Sequence, residues 1–197
     1  MKKTRRKPAV FLDRDGTLIH DAGFLNRPSQ VKLFPGTAPA LKLLRKAGFY
    51  LFVVSNQSGV ARGYFPESSV KAANRRVQAL LKAKGAKIDR FFYCPHHPKG
   101  QVKSLAVVCD CRKPRTGMVK AAARSFSVDL ENSFVVGDKM DDLLLARQAR
   151  LKGGLLVRTG KGRKSQKELA SRPIPRSVVV PDIWKAAQWI AAQKDQK

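Results

Sequence analysis

The chain has 197 residues and 43% hydrophobic content, enough for one α/β domain with a full core and short for two. No apolar run approaches the roughly 18 residues that cross a bilayer, which excludes a membrane-spanning class. Forty Lys+Arg against fourteen Asp+Glu leave a formal net charge of +26, a balance that attracts polyanions from phosphorylated metabolites to nucleic acid.

The positive charge is spread along the chain: residues 151–197 hold eleven basic and three acidic side chains, or +8 in about a quarter of the length. The acids are the scarcer signal. Five of the fourteen fall in two short stretches, Asp13 with Asp15, and Asp138 with Asp141 and Asp142. The basic start, residues 1–8, runs directly into an apolar strand with no secretory apolar stretch before it, so a cytoplasmic location is expected.

Short β-rich runs alternate with helical patterns, as in successive βαβ units around a parallel sheet. The pattern predicts a first strand over 9–12, followed at once by Asp13-Arg14-Asp15-Gly16-Thr17. Residues two apart in an extended segment project to one side, so Asp13 and Asp15 converge. Their repulsion calls for a proton or a hard, oxygen-seeking cation such as Mg²⁺. Gly16 lets the backbone turn sharply away. A helix over 38–47 follows, punctuated by Pro35-Gly36 and Gly48.

The second strand, 50–55, carries the run Leu51-Phe52-Val53-Val54, as expected of a strand buried on both faces. It ends in Ser55-Asn56-Gln57-Ser58-Gly59, whose hydroxyl, amides and backbone N–H groups suit phosphate oxygens. A helix over 68–84 leads to a strand over 90–93. Residues 94–114 then break the rhythm as an irregular insertion rich in Cys, His and Pro.

All three cysteines lie in that insertion, in the pairs Cys94-x-His96 and Cys109-x-Cys111. Two close-spaced ligand pairs joined by a short loop make a tetrahedral Cys₃His set for a structural Zn²⁺, with no open position. His97 competes with His96, and the matching spacing favours His96. In a cytosolic chain such clustering fits zinc better than disulfides. Arg112 and Lys113 close the insertion directly after Cys111, so the zinc loop also places two cations.

A helix over 118–125 precedes a strand over 133–137, which ends in Gly137-Asp138 and supplies a third carboxylate at the same sheet edge. In an open α/β sheet this is the edge where ligands bind. The next helix, 140–150, opens with Asp141 and Asp142, which suit a helix N-terminus; Asp141 could instead support the metal from behind. The chain then predicts a strand over 154–158, a mobile basic loop over 160–175, a strand over 177–180 and a helix over 183–193. With no internal repeat or linker, residues 1–197 are expected to form one domain.

Taken in order, Asp13-x-Asp15-Gly16-Thr17, Ser55-Asn56, Lys113 and Gly137-Asp138 resemble the four motifs of the haloacid dehalogenase (HAD) superfamily. The resemblance implies an α/β fold with a doubly wound, mostly parallel, Rossmann-like sheet. It implies that Asp13 is the nucleophile forming an aspartyl-phosphate, that Asp15 protonates the leaving oxygen and then activates water, and that Ser55 and Lys113 hold the phosphoryl group. Mg²⁺ is then bound by Asp13, the backbone carbonyl of Asp15, and Asp138.

The strings Tyr93-Cys94-Pro95-His96-His97-Pro98 and Cys109-Asp110-Cys111-Arg112-Lys113-Pro114 narrow the match. They are similar to the D-glycero-D-manno-heptose 1,7-bisphosphate 7-phosphatases and their histidinol-phosphate phosphatase relatives. The twelve residues between His96 and Cys109 resemble the heptose enzymes, since the relatives have a shorter link.

That family implies a monomeric enzyme that removes the C7 phosphate of a small phosphorylated sugar, in nucleotide-activated heptose biosynthesis for lipopolysaccharide core or surface glycans. Its substrate loop maps onto Asp21, Ala22, Gly23 and Phe24, with Ser55, Asn56, Gln57, Ser58, Arg112, Lys113 and Lys139 as further substrate contacts. The chain departs from the family at Ser55, where threonine is common, and at Ala22 and Phe24, where larger polar or aromatic groups are frequent.

No insertion is large enough for a cap domain, so loops 21–24, 62–65 and the zinc insertion must exclude water. Histidinol phosphate or another small phosphomonoester is the alternative substrate. A nucleic-acid-associated 3′-phosphatase or binding protein is a further reading of the charge. The chain has no aromatic-basic stacking stripe or nucleic-acid module, which leaves nucleic acid to non-specific charge.

Overall fold

A computed structural model of the chain describes residues 6–25 and 27–193. The β-branched and aromatic runs pair into one six-stranded sheet. Its strands are β1 (Lys7–Leu12), β2 (Tyr50–Asn56), β3 (Arg90–Cys94), β4 (Val128–Gly137), β5 (Gly153–Val157) and β6 (Ser177–Val180). All neighbours are parallel, in the order β3-β2-β1-β4-β5-β6.

Strand alternation explains why the central runs are apolar throughout. Val10, Leu12, Leu51, Val53, Phe134 and Val136 face α1 (Thr37–Lys46), α2 (Glu67–Lys82) and α6 (Ile183–Ala192). Their chain neighbours Ala9, Phe11, Phe52, Val54 and Val135 face α3 (Gly117–Ser125) and α4 (Met140–Gln148). The sheet is therefore doubly wound, with helices on both faces. No helix among the described residues is long and apolar enough to cross a membrane.

The chain runs outward from β1 to β2 and β3, then returns to place β4 on the other side of β1. Strand order reverses between β1 and β4, and a crevice opens beyond their carboxyl ends at such a switch point. Asp13 follows β1 there and Asp138 follows β4. Topology alone thus brings together carboxylates 125 positions apart in the sequence.

Two elements differ from the sequence reading. Strand β4 begins at Val128, five residues before the expected Ser133, because a register shift opposite Pro8 and Val10 accommodates its polar start. The Ala9 N–H, left without a ladder partner there, donates to Ser133 Oγ at 2.8 Å. The expected mobile loop over 160–175 instead contains α5 (Gly162–Ser171). Leu169 packs with Leu143, Leu156 and Ile174, and Ser165 Oγ donates to the Asp138 carbonyl at 2.9 Å. Its two apolar side chains, Leu169 and Ala170, are adjacent and not spaced at a helical period, which is too little to mark this helix from sequence.

Phe52 is fully buried, with ring centroids of Phe126, Phe11 and Phe92 at 4.8, 5.6 and 5.9 Å. Phe52→Ala should cost about 3–5 kcal/mol of stability. Urea unfolding followed by circular dichroism checks this, and a loss below about 1 kcal/mol would contradict the packing described.

Candidate functional site

Lys113 is buried, and its Nζ lies 2.6 Å from both Asp13 Oδ1 and Asp142 Oδ1. Burial works against its charge, but Asp13 and then Asp142 outweigh that and hold the ammonium above its usual range. For Asp13 burial is likewise the largest single influence, and it opposes ionisation. Lys113, Lys139 and the Arg14 N–H together overcome it and hold the carboxyl below its usual value. Asp13 is therefore a buried carboxylate that stays ionised.

Asp13, Asp138 and Asp142 place carboxylate oxygens within 4.8 Å of one another. Burial, followed by the nearby charge of Asp13, pushes the Asp138 carboxyl up to about 7. Its Oδ2 accepts the Lys161 N–H at 2.8 Å, and Lys139 Nζ lies 3.7 Å from its Oδ1. Neither Asp138 Oδ1 nor Asp13 Oδ2 has a hydrogen-bond partner, although both are buried. Two unsatisfied acidic oxygens at one strand-end crevice fit a hard divalent cation.

Gly16 and Gly160 adopt φ of +81° and +55°, and a Cβ on either would strike Asp138 Oδ2. Only glycine permits that approach, which fixes the carboxylate between two loops.

Asp15 belongs to a second cage. Arg14 Nε and Nη2 donate to its carboxylate at 3.1–3.2 Å, and Gln57 Nε2 donates to it at 2.8 Å. The same Gln57 nitrogen donates to Ser55 Oγ at 2.6 Å. The repulsion expected between Asp13 and Asp15 is thus met by a different protein cation on each. The side-chain cluster takes Asp142, and not Asp15, as its third carboxylate.

From sequence, Asp142 suits a helix end. It does serve that end, since its Oδ2 accepts the Lys139 N–H at 3.1 Å, but its other oxygen grips Lys113. A Cβ on Gly137 would overlap the Asp142 carboxylate, so this packing needs glycine at the end of β4. Asp141 is half-buried in the first turn of α4, and burial raises its carboxyl.

Asn56 was expected to face substrate. Its Oδ1 accepts the Lys113 N–H at 3.0 Å and its Nδ2 donates to the Lys113 carbonyl at 3.1 Å. The side chain therefore ties the end of β2 to the backbone of Lys113. Gln57 faces Arg14, Asp15 and Ser55, and Ser58 is half-buried in the turn that follows. Arg112 is half-buried, with Nη1 3.4 Å from the His96 carbonyl, and the Lys139 side chain is partly exposed beside Asp138.

In the loop after β1, Asp21 Oδ1 accepts the Gly23 N–H at 2.9 Å, Ala22 is exposed, and Gly23 has φ +75°. Exposed Phe24 meets Tyr64 edge-on at 4.4 Å between centroids, joining two loops at the rim.

The zinc set is assembled around one point. Cys94, Cys109 and Cys111 Sγ atoms lie 3.4–3.5 Å apart along two edges, and His96 Nδ1 lies 3.3 Å from Cys111 and 3.7 Å from Cys94. A tetrahedron of Zn–S bonds of about 2.3 Å has S···S edges of about 3.8 Å, so the donors fit zinc with minor expansion. His97 is excluded, because its Nε2 lies 3.0 Å from Arg62 Nη2 and its Nδ1 accepts the Lys99 N–H.

A family model described as HAD-hydrolase-like matches residues 110–186. The D-glycero-β-D-manno-heptose-1,7-bisphosphate 7-phosphatase of Escherichia coli K12 is 40% identical over 183 residues, covering 93% of this chain and 87% of that one. The Haemophilus ducreyi protein of the same name is 41% identical, covering 88% and 95%. A solved structure from B. bronchiseptica, a D,D-heptose 1,7-bisphosphate phosphatase complexed with magnesium and phosphate, superposes with a TM-score of 0.81 at 34% identity, covering 94% and 99%.

Purified protein should carry one zinc per chain by elemental analysis. Cys109→Ser should lose it and lower the melting temperature by at least about 4 °C, the shift that about 1–2 kcal/mol produces at this size. Full zinc content in that variant would remove Cys109 from the ligand set.

Proposed function

The chain belongs to the family of HAD-like heptose bisphosphate phosphatases, and from that membership we propose that it hydrolyses the C7 phosphate of D-glycero-D-manno-heptose 1,7-bisphosphate through an aspartyl-phosphate. The observation that carries this is Asp13. It is a buried, ionised carboxylate at the strand-end switch point, with one oxygen held by Lys113 and the other without a hydrogen-bond partner.

In this reading an Asp13 oxygen attacks phosphorus and the bond to the sugar oxygen breaks, with the proton of Asp15 passing to that leaving oxygen. Asp15, now a carboxylate, takes a proton from water. The water oxygen attacks phosphorus and the bond to Asp13 breaks, which releases inorganic phosphate and restores both acids. Lys113 and the Ser55 hydroxyl hold the phosphoryl oxygens during both displacements. The 2.6 Å separation of Lys113 Nζ from Asp13 supports this role.

Asp13, the Asp15 carbonyl and Asp138 would hold Mg²⁺, which would supply further positive charge against the phosphoryl oxygens. The residues of the chain do the rest. Asp142 neutralises Lys113 when the phosphate is gone, so the ammonium is never an unpaired buried charge. Zinc would be structural, since Cys94, His96, Cys109 and Cys111 would fill all four positions, and its loop carries Arg112 and Lys113.

The second phosphate of the substrate would meet Arg112 and Lys139, and the loop Asp21–Ala22–Gly23–Phe24 would close on the sugar. Residues 1–197 act as one domain with its zinc loop at 94–114. Every group the reaction needs comes from one chain, which supports a monomer, and the cytoplasm supplies both Mg²⁺ and sugar phosphates.

A phosphate-release panel tests the assignment, using both heptose bisphosphate anomers, fructose 1,6-bisphosphate, histidinol phosphate and a 3′-phosphorylated oligonucleotide. A heptose bisphosphate anomer should give the highest kcat/KM, by about 10²-fold or more over the others, a margin that corresponds to about 2.7 kcal/mol of differential transition-state binding. A preference for histidinol phosphate or the oligonucleotide would overturn the substrate. Asp13→Asn should lower kcat by more than about 10⁴-fold with an unchanged circular dichroism spectrum. Retained turnover would refute the covalent mechanism.

A further inference from the structure

Arg14 is 1% exposed and stands among the largest fully buried side chains of the protein. A guanidinium is kept in such a place only where its charge and its donors are met. Here they are met by three residues from different parts of the chain. Nε lies 3.2 Å from Asp15 Oδ1, and Nη2 lies 3.1 Å from each Asp15 oxygen. Nη2 also donates to Gln57 Oε1 at 2.9 Å, and Nη1 donates to Asn74 Oδ1, on α2, at 2.8 Å.

Side chains of adjacent residues in a strand point to opposite faces. Arg14 and Asp15 escape that rule because β1 has ended and the backbone turns at Gly16, which lets the fork of one residue close on the carboxylate of the next. Asp15 keeps 16% of its side chain exposed, so the cage leaves one side of the carboxylate open. The buried end of the cage is anchored to α2 through Asn74, which is itself buried.

We propose that Arg14 is a positioning residue for proton transfer: anchored by Asn74, it fixes the rotation of the Asp15 carboxylate so that its open side faces the leaving oxygen in the first step and water in the second. This rests on the acid–base reading of Asp15 given above. The Arg14 guanidinium spends its hydrogen bonds and its ion pair on Asp15, Gln57 and Asn74, and only the Arg14 backbone N–H, which any residue but proline would supply, meets the Asp13 carboxylate, so the side chain acts through Asp15 and Gln57. The planar fork matters as much as the charge. A lysine offers a single ammonium and cannot bridge two carboxylate oxygens and an amide held in fixed directions.

Leaving-group chemistry separates this role from a structural one. A sugar alkoxide must be protonated as it departs, whereas p-nitrophenolate departs without a proton. In the magnesium-loaded, zinc-loaded enzyme, Arg14→Lys should slow single-turnover cleavage of the heptose bisphosphate by about 10²-fold, the usual size of a general-acid contribution. The first step with p-nitrophenyl phosphate should fall by less than about 10-fold, giving a rapid burst of p-nitrophenol followed by slow phosphoenzyme breakdown. Asn74→Ala leaves Arg14 in place but frees its anchored end, and should show the same pattern to a smaller degree.

Equal losses on the two substrates, or a loss confined to burst amplitude at unchanged rates, would overturn the proposal, because a destabilised fold lowers the active fraction without regard to leaving group. If Arg14→Lys does not fold, the Asn74→Ala comparison decides alone. Asp15→Asn is the reference. A selective loss there without one in the Arg14 and Asn74 variants defeats the positioning role only. No selective loss in Asp15→Asn defeats the acid–base reading and this proposal together.

Discussion

The buried ammonium of Lys113, held 2.6 Å from both Asp13 and Asp142, is the interaction on which the rest of the site depends. Removing one partner from such a buried pair typically costs about 3–5 kcal/mol, because the remaining charge has no water to turn to. Lys113 therefore needs to be placed accurately, and two distant residues and one near neighbour do so. Asn56 at the end of β2 clasps its backbone on both sides. The zinc ligand Cys111 stands two residues before it. Asp142, at the start of α4, reaches its side chain. The zinc loop is thus part of the reaction centre's support, although its metal would lie outside the chemistry.

The acidic groups are divided between two electrostatic compartments. Around Asp13 three carboxylates face Lys113 and, more loosely, Lys139, so the compartment is one positive charge short. The shortage is visible in Asp138, which burial and Asp13 push up to about 7. A bound divalent cation would correct it and draw that carboxyl down. Asp15 sits apart, matched one to one by Arg14. Two carboxylates two residues apart can do different work because each has its own counter-ion, the general way one fold separates acid, base and nucleophile.

Much of this was legible in the sequence, for identifiable reasons. Acids are scarce, so their gathering after two apolar strands stood out, and topology then placed Asp13 and Asp138 at one switch point. The gathering of Cys94, His96, Cys109 and Cys111 was legible because sulfur and imidazole at matched spacings have few uses besides holding a metal. Asp142 was half legible. An acid at a helix start already has a sufficient local explanation in the dipole, and its second bond, to a lysine 29 residues earlier, has no local signature. Arg14 was hidden for the same reason, since it looks like an open polar side chain until long-range packing buries it, and the clasp of Asn56 on the Lys113 backbone, 57 residues on, likewise has no local signature. Helix α5 was missed because glycine, serine and lysine outnumber its inward-facing apolar residues.

The large positive charge bears on encounter more than on selection. Among the described residues, Arg14 and Lys113 are the buried cations, and both are consumed by carboxylates. The other cations lie partly or fully at the surface, spread along the chain. Their field is screened beyond about 8 Å at physiological ionic strength, so it raises the rate at which any phosphorylated anion arrives and discriminates little among them. Discrimination must come from groups within direct reach of the bound phosphate. In the proposed reading those are Arg112 and Lys139, which flank Lys113 and Asp138 in sequence and whose side chains lie near the His96 carbonyl and Asp138. If no cap domain covers the site, as proposed, this separation matters: diffuse charge would gather substrate, and the Cys/His loop and the Phe24–Tyr64 rim would decide what fits.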